Sequence, residues 1–380
     1  MNTRSGRYID TGVGYKSFVP NSLPPDPPIK MDSEMQTLLS MADRKLGRLD
    51  GITEILPNPD LFVAMYVKKE ALISSQIEGT QASLVDILDT DNTESIEKNN
   101  DIADVVNYVA AMDYGLKRLE TLPISLRLIR EIHAKLIKGV RGSTKNPGEF
   151  RKTQNWIGPK GCTLQTASFV PPSVPNMIDS MSDLENFIHN DEYIPPLLKI
   201  AMIHAQFETI HPFLDGNGRM GRLLITFWLC EQKILSQPLL YLSYYFKKNR
   251  TEYYDRLMDV RFKGAWEEWI KFFLNGVAEV ADEATQTAKR ILELKEDISH
   301  KIADENMGNN AQRLLDYLFY SPVVARNDIV EEFGISSPTA GDLIESFCNI
   351  GVLKDVTPDK KRYKKYSFNN YIEIITPGTD

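Results

Sequence analysis

The sequence predicts a mainly α-helical chain, and three observations carry that expectation. Apolar residues recur at three-and-four spacing over most of the first 300 positions, only one short stretch among them reads as strand, and the composition is that of an ordinary globular protein. With 380 residues, 42% of them hydrophobic and 25% charged, the chain is neither disordered throughout, nor collagen-like, nor a disulfide-stapled miniprotein. Its formal charge is −8, from 44 Lys and Arg against 52 Asp and Glu. Contact with nucleic acid or anionic lipid therefore has to be local.

Residues 1–30 are rich in Gly, Pro and Asn and are expected to form an extended arm wrapped on the core. Asp32 and Ser33 can cap a helix whose apolar stripe is Met35, Leu38, Leu39, Ala42, Leu46 and Leu49. Further helices are expected over 60–79, 83–89, 102–121, 125–139, 177–190, 196–208, 218–234 and 250–262, separated by loops marked with Pro, Gly or Asn. From Asn155 to Pro172, short apolar pieces flank the turn Pro159-Lys160-Gly161, which reads as a small β-hairpin.

Residues 266–305, with Trp266, Trp269, Phe273, Val277 and Val280, read as one long connecting helix. Three short helices are expected over 311–319, 326–333 and 337–350, with Gly334-Ile335-Ser336 as the turn between the last two. Lys354 to Phe368 then reads as a strand, a basic loop and a strand, an order that resembles a winged helix-turn-helix. The expected domains are 1–110 for the arm and first helices, 111–275 for a catalytic core, 276–307 for the connecting helix and 308–380 for the winged module. Cys162, Cys230 and Cys348 form no C-x-x-C pair, and neither a signal-peptide h-region nor a run of about 18 apolar residues occurs. A cytoplasmic protein without membrane contact is expected.

The densest chemistry lies in His211-Pro212-Phe213-Leu214-Asp215-Gly216-Asn217-Gly218-Arg219-Met220-Gly221-Arg222. A glycine-rich turn that opens a helix gathers backbone N–H groups and the positive end of the helix dipole, which suits phosphate. Arg219 and Arg222, three apart at that helix start, are cations placed where only an anion makes them favourable. Asp215 stands where a carboxylate can share Mg²⁺ with phosphates, and His211 offers the side chain best suited to take a proton near neutral pH. Other readings fail on spacing: a calcium loop beginning at Asp215 would put Arg219 at its fifth position, and neither a P-loop nor H-E-x-x-H is present.

This segment matches in full the H-P-F-x-D-G-N-G-R-x-x-R signature and so resembles Fic-domain proteins. Gly148-Glu149-Phe150-Arg151 and Phe169-Val170-Pro171-Pro172 resemble two further landmarks of that family, so the likeness covers about residues 60 to 280. The resemblance implies a Fic helical core and transfer of a nucleoside monophosphate, usually AMP from ATP with Mg²⁺, to a Ser, Thr or Tyr hydroxyl of a target protein, releasing pyrophosphate. It implies His211 as general base, Asp215 on the metal, Gly216, Asn217 and Gly218 as anion hole, and Arg219 and Arg222 on the β- and γ-phosphates. Met220 and Gly221 belong to the same ATP-binding run. The hairpin becomes a target-docking flap with Thr166, Ala167, Ser168 and Phe169, and Tyr253 and Tyr254 lie near the adenine.

Ser74, Glu78 and Gly79 resemble the family's inhibitory [S/T]-x-x-x-E-[G/N] motif on a helix over about 60–80. By that likeness Glu78 pairs with Arg222 and keeps ATP out of the productive pose. Self-modification and a homodimer are compatible with this reading. Alternatives are another nucleotide, removal of AMP with Glu78 positioning a water, or a nucleotide-sensing DNA-binding regulator. From Asn309 onward, 8 Lys and Arg face 10 Asp and Glu, and Ser337 to Ile350 carries Asp342 and Glu345 without Lys or Arg. That balance favours a protein contact over DNA for the C-terminal module.

Overall fold

The chain begins with a sheet where an arm was expected. The computed structural model describes residues 2–54, 59–84, 100–139, 146–159, 161–190, 193–359 and 363–376. In it β1 (Asn2–Thr3), β2 (Gly6–Asp10) and β3 (Lys16–Pro20) pair antiparallel in that order, with Tyr8 opposite Phe18. Gly12 and Gly14 sit in the turn between β2 and β3, so part of the glycine content makes a sheet possible. Phe18 is fully buried against Phe169, and its N–H donates to the Val170 carbonyl at 2.9 Å, which docks the sheet on the core.

Helices follow: α1 (Ser33–Glu54), α2 (Pro59–Ile77), α3 (Asn100–Leu119), α4 (Leu126–Leu136), α5 (Val174–His189), α6 (Pro196–Ile210), α7 (Asn217–Glu231), α8 (Ser243–Lys248), α9 (Arg250–Lys263) and α10 (Trp266–Asp304). Asp32 caps α1 by accepting the Met35 N–H at 2.8 Å. α1 packs lengthwise along α10, the long connecting helix. α6 and α7 pack on each other at the centre, and nearly every residue of both is buried. α3 packs on α7 and α2, while α8 covers α2. The helix expected over 83–89 lies mostly outside the described residues, and α8 was not foreseen. The hairpin at 155–170 closes as one antiparallel bridge, Ile157 to Phe169.

Beyond α10 come α11 (Asn309–Tyr320), β4 (Val323–Ala325), α12 (Arg326–Phe333), α13 (Ser337–Asn349), β5 (Lys354–Asp355), β6 (Lys365–Ser367) and α14 (Asn369–Ile375). The strands pair antiparallel in the order β4-β6-β5. β4 and α14 extend the expected order, and Lys360, Lys361 and Arg362 lie outside the described residues. Among the described residues, no helix is long and apolar enough to cross a membrane.

Candidate active site

α6 ends at His211, whose backbone turns left-handed with φ 51° and ψ 59°. Such a conformation costs a non-glycine residue on the order of 1 kcal/mol, so the surroundings have to hold it. They do so through buried Arg151, whose Nε donates to the His211 carbonyl at 3.1 Å and whose backbone N–H donates to Pro212 at 2.9 Å. Asn155 Nδ2 donates to the carbonyls of His211 and Phe213 at 3.0 and 2.9 Å. Asn217 accepts the Phe213 N–H at 2.8 Å and donates back to the Phe213 carbonyl at 2.9 Å. Gly216 then enters α7 at φ 75°, a conformation glycine adopts without strain.

His133 of α4 completes the support. Its ring stacks on Phe213 with centroids 3.6 Å apart. Nε2 lies 2.9 Å from the Asp215 carbonyl, and Nδ1 accepts the Gly148 N–H at 2.9 Å, which fixes the neutral tautomer with its proton on Nε2. Burial pushes its pKa down to about 4.

These elements enclose a cavity of about 550 Å³ lined by Glu78, His211, Gly218, Arg222, Tyr254 and Arg261 among others. His211 Nδ1 is buried, and none of the described residues meets strict hydrogen-bond geometry with it, the Glu208 carbonyl standing near the ring. Burial pushes the imidazole pKa down to about 3, with Arg261 and Arg151 adding to the shift and Glu78 opposing it. The ring is therefore neutral at physiological pH, with a lone pair free to accept a proton.

Arg222 is held from α2. Its Nε donates to Ser74 Oγ at 2.8 Å, and its Nη2 donates to the Ser74 carbonyl at 2.9 Å and to Glu78 Oε1 at 2.7 Å. Burial works against the guanidinium charge, but Glu78 outweighs it and holds the pKa high. Burial likewise pushes Glu78 up, and Arg222 more than reverses that. Glu78 keeps 38% of its side chain accessible, so a solute entering the cavity can reach it. A Cβ at Gly218 would run into the Glu78 carboxylate, hence the glycine there.

The remaining candidates sort by position. Gly79 follows α2 at φ 101°. Asp215 Oδ1 accepts the Gly216 N–H at 2.7 Å, and its side chain is 41% accessible. Among the described residues no three metal-ligating side chains cluster. Mg²⁺ is commonly held by one or two carboxylates with phosphates and water, so Asp215 fits that ion. Arg219 does not line the cavity: its Nη1 donates to buried Asp104 at 2.8 Å. The Met220 side chain is wholly buried in the core, and its N–H is bonded to the Gly216 carbonyl. Gly221 offers its carbonyl to His204 Nδ1 at 3.0 Å.

Tyr253 and Tyr254 face different surroundings. Tyr253 is buried with its hydroxyl 2.9 Å from His204 Nε2, whereas Tyr254 is 38% exposed with Arg250 over its ring. In the 155–170 segment, Ser168 lines the cavity, Ala167 is half-buried, and Thr166 closes a turn onto the Thr163 N–H at 2.9 Å. Phe169 is buried beneath Arg261. Sequence reasoning missed Glu208, one turn ahead of His211 in α6, together with Asp104, His133 and Arg261, which reach the site from distant turns of chain.

The family model described as Fic/DOC family N-terminal matches residues 36–117, and the one described as Fic/DOC family matches residues 123–229, which contain the whole turn from His211 to Arg222. The chain belongs to the Fic/DOC family. It is 30% identical over 259 residues to the protein adenylyltransferase Fic of Culex quinquefasciatus, covering 63% of this chain and 46% of that protein. To the protein adenylyltransferase Fic of Aedes aegypti it is 29% identical over 250 residues, covering 62% of this chain and 44% of that one. The chain thus spans less than half the length of these two relatives. A crystal structure of a Fic family protein from Desulfovibrio desulfuricans shares the fold, with TM-score 0.57 and 19% identity over 90% of this chain and 97% of that one. In this Fic protein, both family matches lie ahead of α10, and the N-terminal one includes α2 with Ser74 and Glu78.

Proposed function

We propose that this Fic protein is an autoinhibited protein adenylyltransferase that moves AMP from ATP to a Ser, Thr or Tyr hydroxyl of a target protein, itself included. The observation that carries the proposal is the Glu78–Arg222 ion pair at 2.7 Å inside the cavity that also contains neutral His211. The names of the relatives support the class of reaction.

His211 takes the proton from the target hydroxyl, whose oxygen forms a bond to the α-phosphorus. The bond from the α-phosphorus to the bridging oxygen breaks, and pyrophosphate leaves with the electron pair. Backbone N–H groups at the α7 start and the Arg222 guanidinium stabilise the phosphate oxygens. Mg²⁺ held by Asp215 supplies charge neutralisation on the polyphosphate when bound. Tyr254 offers the exposed aromatic face for the base, and the segment around Ser168 receives an extended target. While Glu78 holds Arg222, the γ-phosphate lacks its partner and the α-phosphate is not in line for attack. The C-terminal unit is assigned as a winged helix-turn-helix that contacts protein, in keeping with its net acidic charge.

The test is mass spectrometry of Glu78→Gly and Glu78→Gly/His211→Ala proteins after incubation with ATP and Mg²⁺. An AMP adduct on the single variant alone supports transfer, base and brake together. An equal adduct on the unaltered chain removes the brake. No adduct on either shifts the reading to another nucleotide or to AMP removal.

A further inference from the structure

Arg219 is bound by two carboxylates. Its Nη1 donates to Asp104 Oδ1 at 2.8 Å, in a pair whose side chains are only 7% and 9% accessible. Its Nη2 stands 3.8 Å from Asp215 Oδ1, too far for a hydrogen bond and within ion-pair range. Its Nε is buried without a hydrogen-bond partner among the described residues, which hold the guanidinium from its outer edge. Asp104 comes from α3, 115 residues earlier in the chain, and no motif links it to this turn.

The charges have opposite consequences for Asp215. A lone arginine beside a carboxylate that takes a divalent cation competes with that cation, first by pairing with the oxygens and then by repelling the second charge. A buried carboxylate bonded to the other terminal nitrogen of that arginine offsets its charge and holds it at a distance. Asp215 is arranged in that way, because both of its polar contacts among the described residues fall on Oδ1. Its Oδ2 accepts no hydrogen bond from them, and the side chain remains open to solvent on one side.

We infer that Asp104 is a positioning residue for divalent-metal binding: by holding and neutralising Arg219, it keeps Asp215 oriented and open to the metal instead of closed in an ion pair with Arg219. The inference rests on the reading of Asp215 as the metal-binding carboxylate. It gives Arg219 a task distinct from that of Arg222, which faces the cavity while Arg219 faces α3.

The test follows Mn²⁺ binding by electron paramagnetic resonance, using the full chain with Glu78→Gly and α,β-methylene-ATP, which cannot be cleaved at the reacting bond. Asp104→Asn keeps the shape and removes the charge. It is expected to weaken Mn²⁺ binding about tenfold, the low end of what residues behind a metal ligand contribute. Adding Arg219→Gln removes the uncompensated charge and is expected to restore most of that loss. Removing a partner from a buried pair can also unfold a protein, so Arg219→Gln alone is measured too, and it should bind Mn²⁺ at least as tightly as the parent. Unchanged affinity in Asp104→Asn, a double variant no better than the single, or weaker binding in Arg219→Gln each overturns the inference. If the parent binds the nucleotide but no Mn²⁺, the metal reading of Asp215 falls, and this inference falls with it.

Discussion

Ser74 grips Arg222 at two points, with Oγ on Nε at 2.8 Å and its carbonyl on Nη2 at 2.9 Å, so α2 aims the guanidinium through contacts that do not involve Glu78. The helical spacing of Ser74 and Glu78 brings both to one arginine, yet their tasks separate. Glu78 occupies the cavity side of Arg222, and Ser74, fully buried, sits behind it.

Ser74→Ala therefore acts on orientation and leaves the competing carboxylate untouched. In the Glu78→Gly background it removes a charge-assisted hydrogen bond of about 1.5–3 kcal/mol. The expected outcome is a KM for ATP raised roughly tenfold with kcat changed less, read from initial rates of AMP incorporation. An unchanged KM would show that Arg222 is held well enough by the Ser74 carbonyl.

The two tyrosines of α9 predict opposite results. Tyr254 exposes its ring at the cavity, while Tyr253 spends its hydroxyl on His204. Tyr254→Ala is expected to weaken nucleotide binding by about 1–3 kcal/mol, the range for losing a base stack. Tyr253→Phe should lower stability by about 1 kcal/mol and leave nucleotide affinity unchanged. Calorimetric titration with ATP, paired with urea melts, separates them. Equal affinity loss in both would mean that the base lies deeper than Tyr254.

His133 shows what sequence alone leaves hidden. The run from His211 to Arg222 was legible because its chemistry is contiguous, and the α2 motif because helical spacing puts Ser74 and Glu78 on one side. His133, Asp104 and Glu208 sit in unremarkable helical sequence and gain meaning only when α4, α3 and α6 meet α7. Spacing reports which face of α7 Arg219 occupies and says nothing of Asp104, the carboxylate 115 residues away that it binds. The N-terminal sheet was missed for a related reason: its strands are short, and Phe18 becomes a core residue only against Phe169.

The same residue gives a stability test. His133→Phe keeps the stack on Phe213 but leaves the Asp215 carbonyl and the Gly148 N–H without a partner. Each such loss costs about 1–3 kcal/mol. The variant is expected to melt several degrees below the parent and to form less AMP adduct in the Glu78→Gly background. A variant with parental melting and activity would show that the stack alone supports the turn.

Glu208 predicts a pH dependence with a definite sign. It is buried in α6 with Oε1 unpartnered among the described residues, and Arg222, Arg261, Glu78 and Tyr253 face it. Burial pushes its pKa up to about 7, with Arg222 and Arg261 opposing and Glu78 adding to the rise. A carboxyl whose folded pKa lies above its unfolded value binds its proton more tightly in the folded chain, so its contribution to stability falls as pH rises from about 4.5 through about 7. Glu208→Gln keeps the shape and cannot ionise. The variant should match the parent near pH 4.5 and exceed it above pH 7, by about 3 kcal/mol. Urea melts of both proteins at pH 5 and pH 8 measure the difference. A gap of the same size at both pH values would show that Glu208 is ionised throughout, held so by the two arginines that flank it.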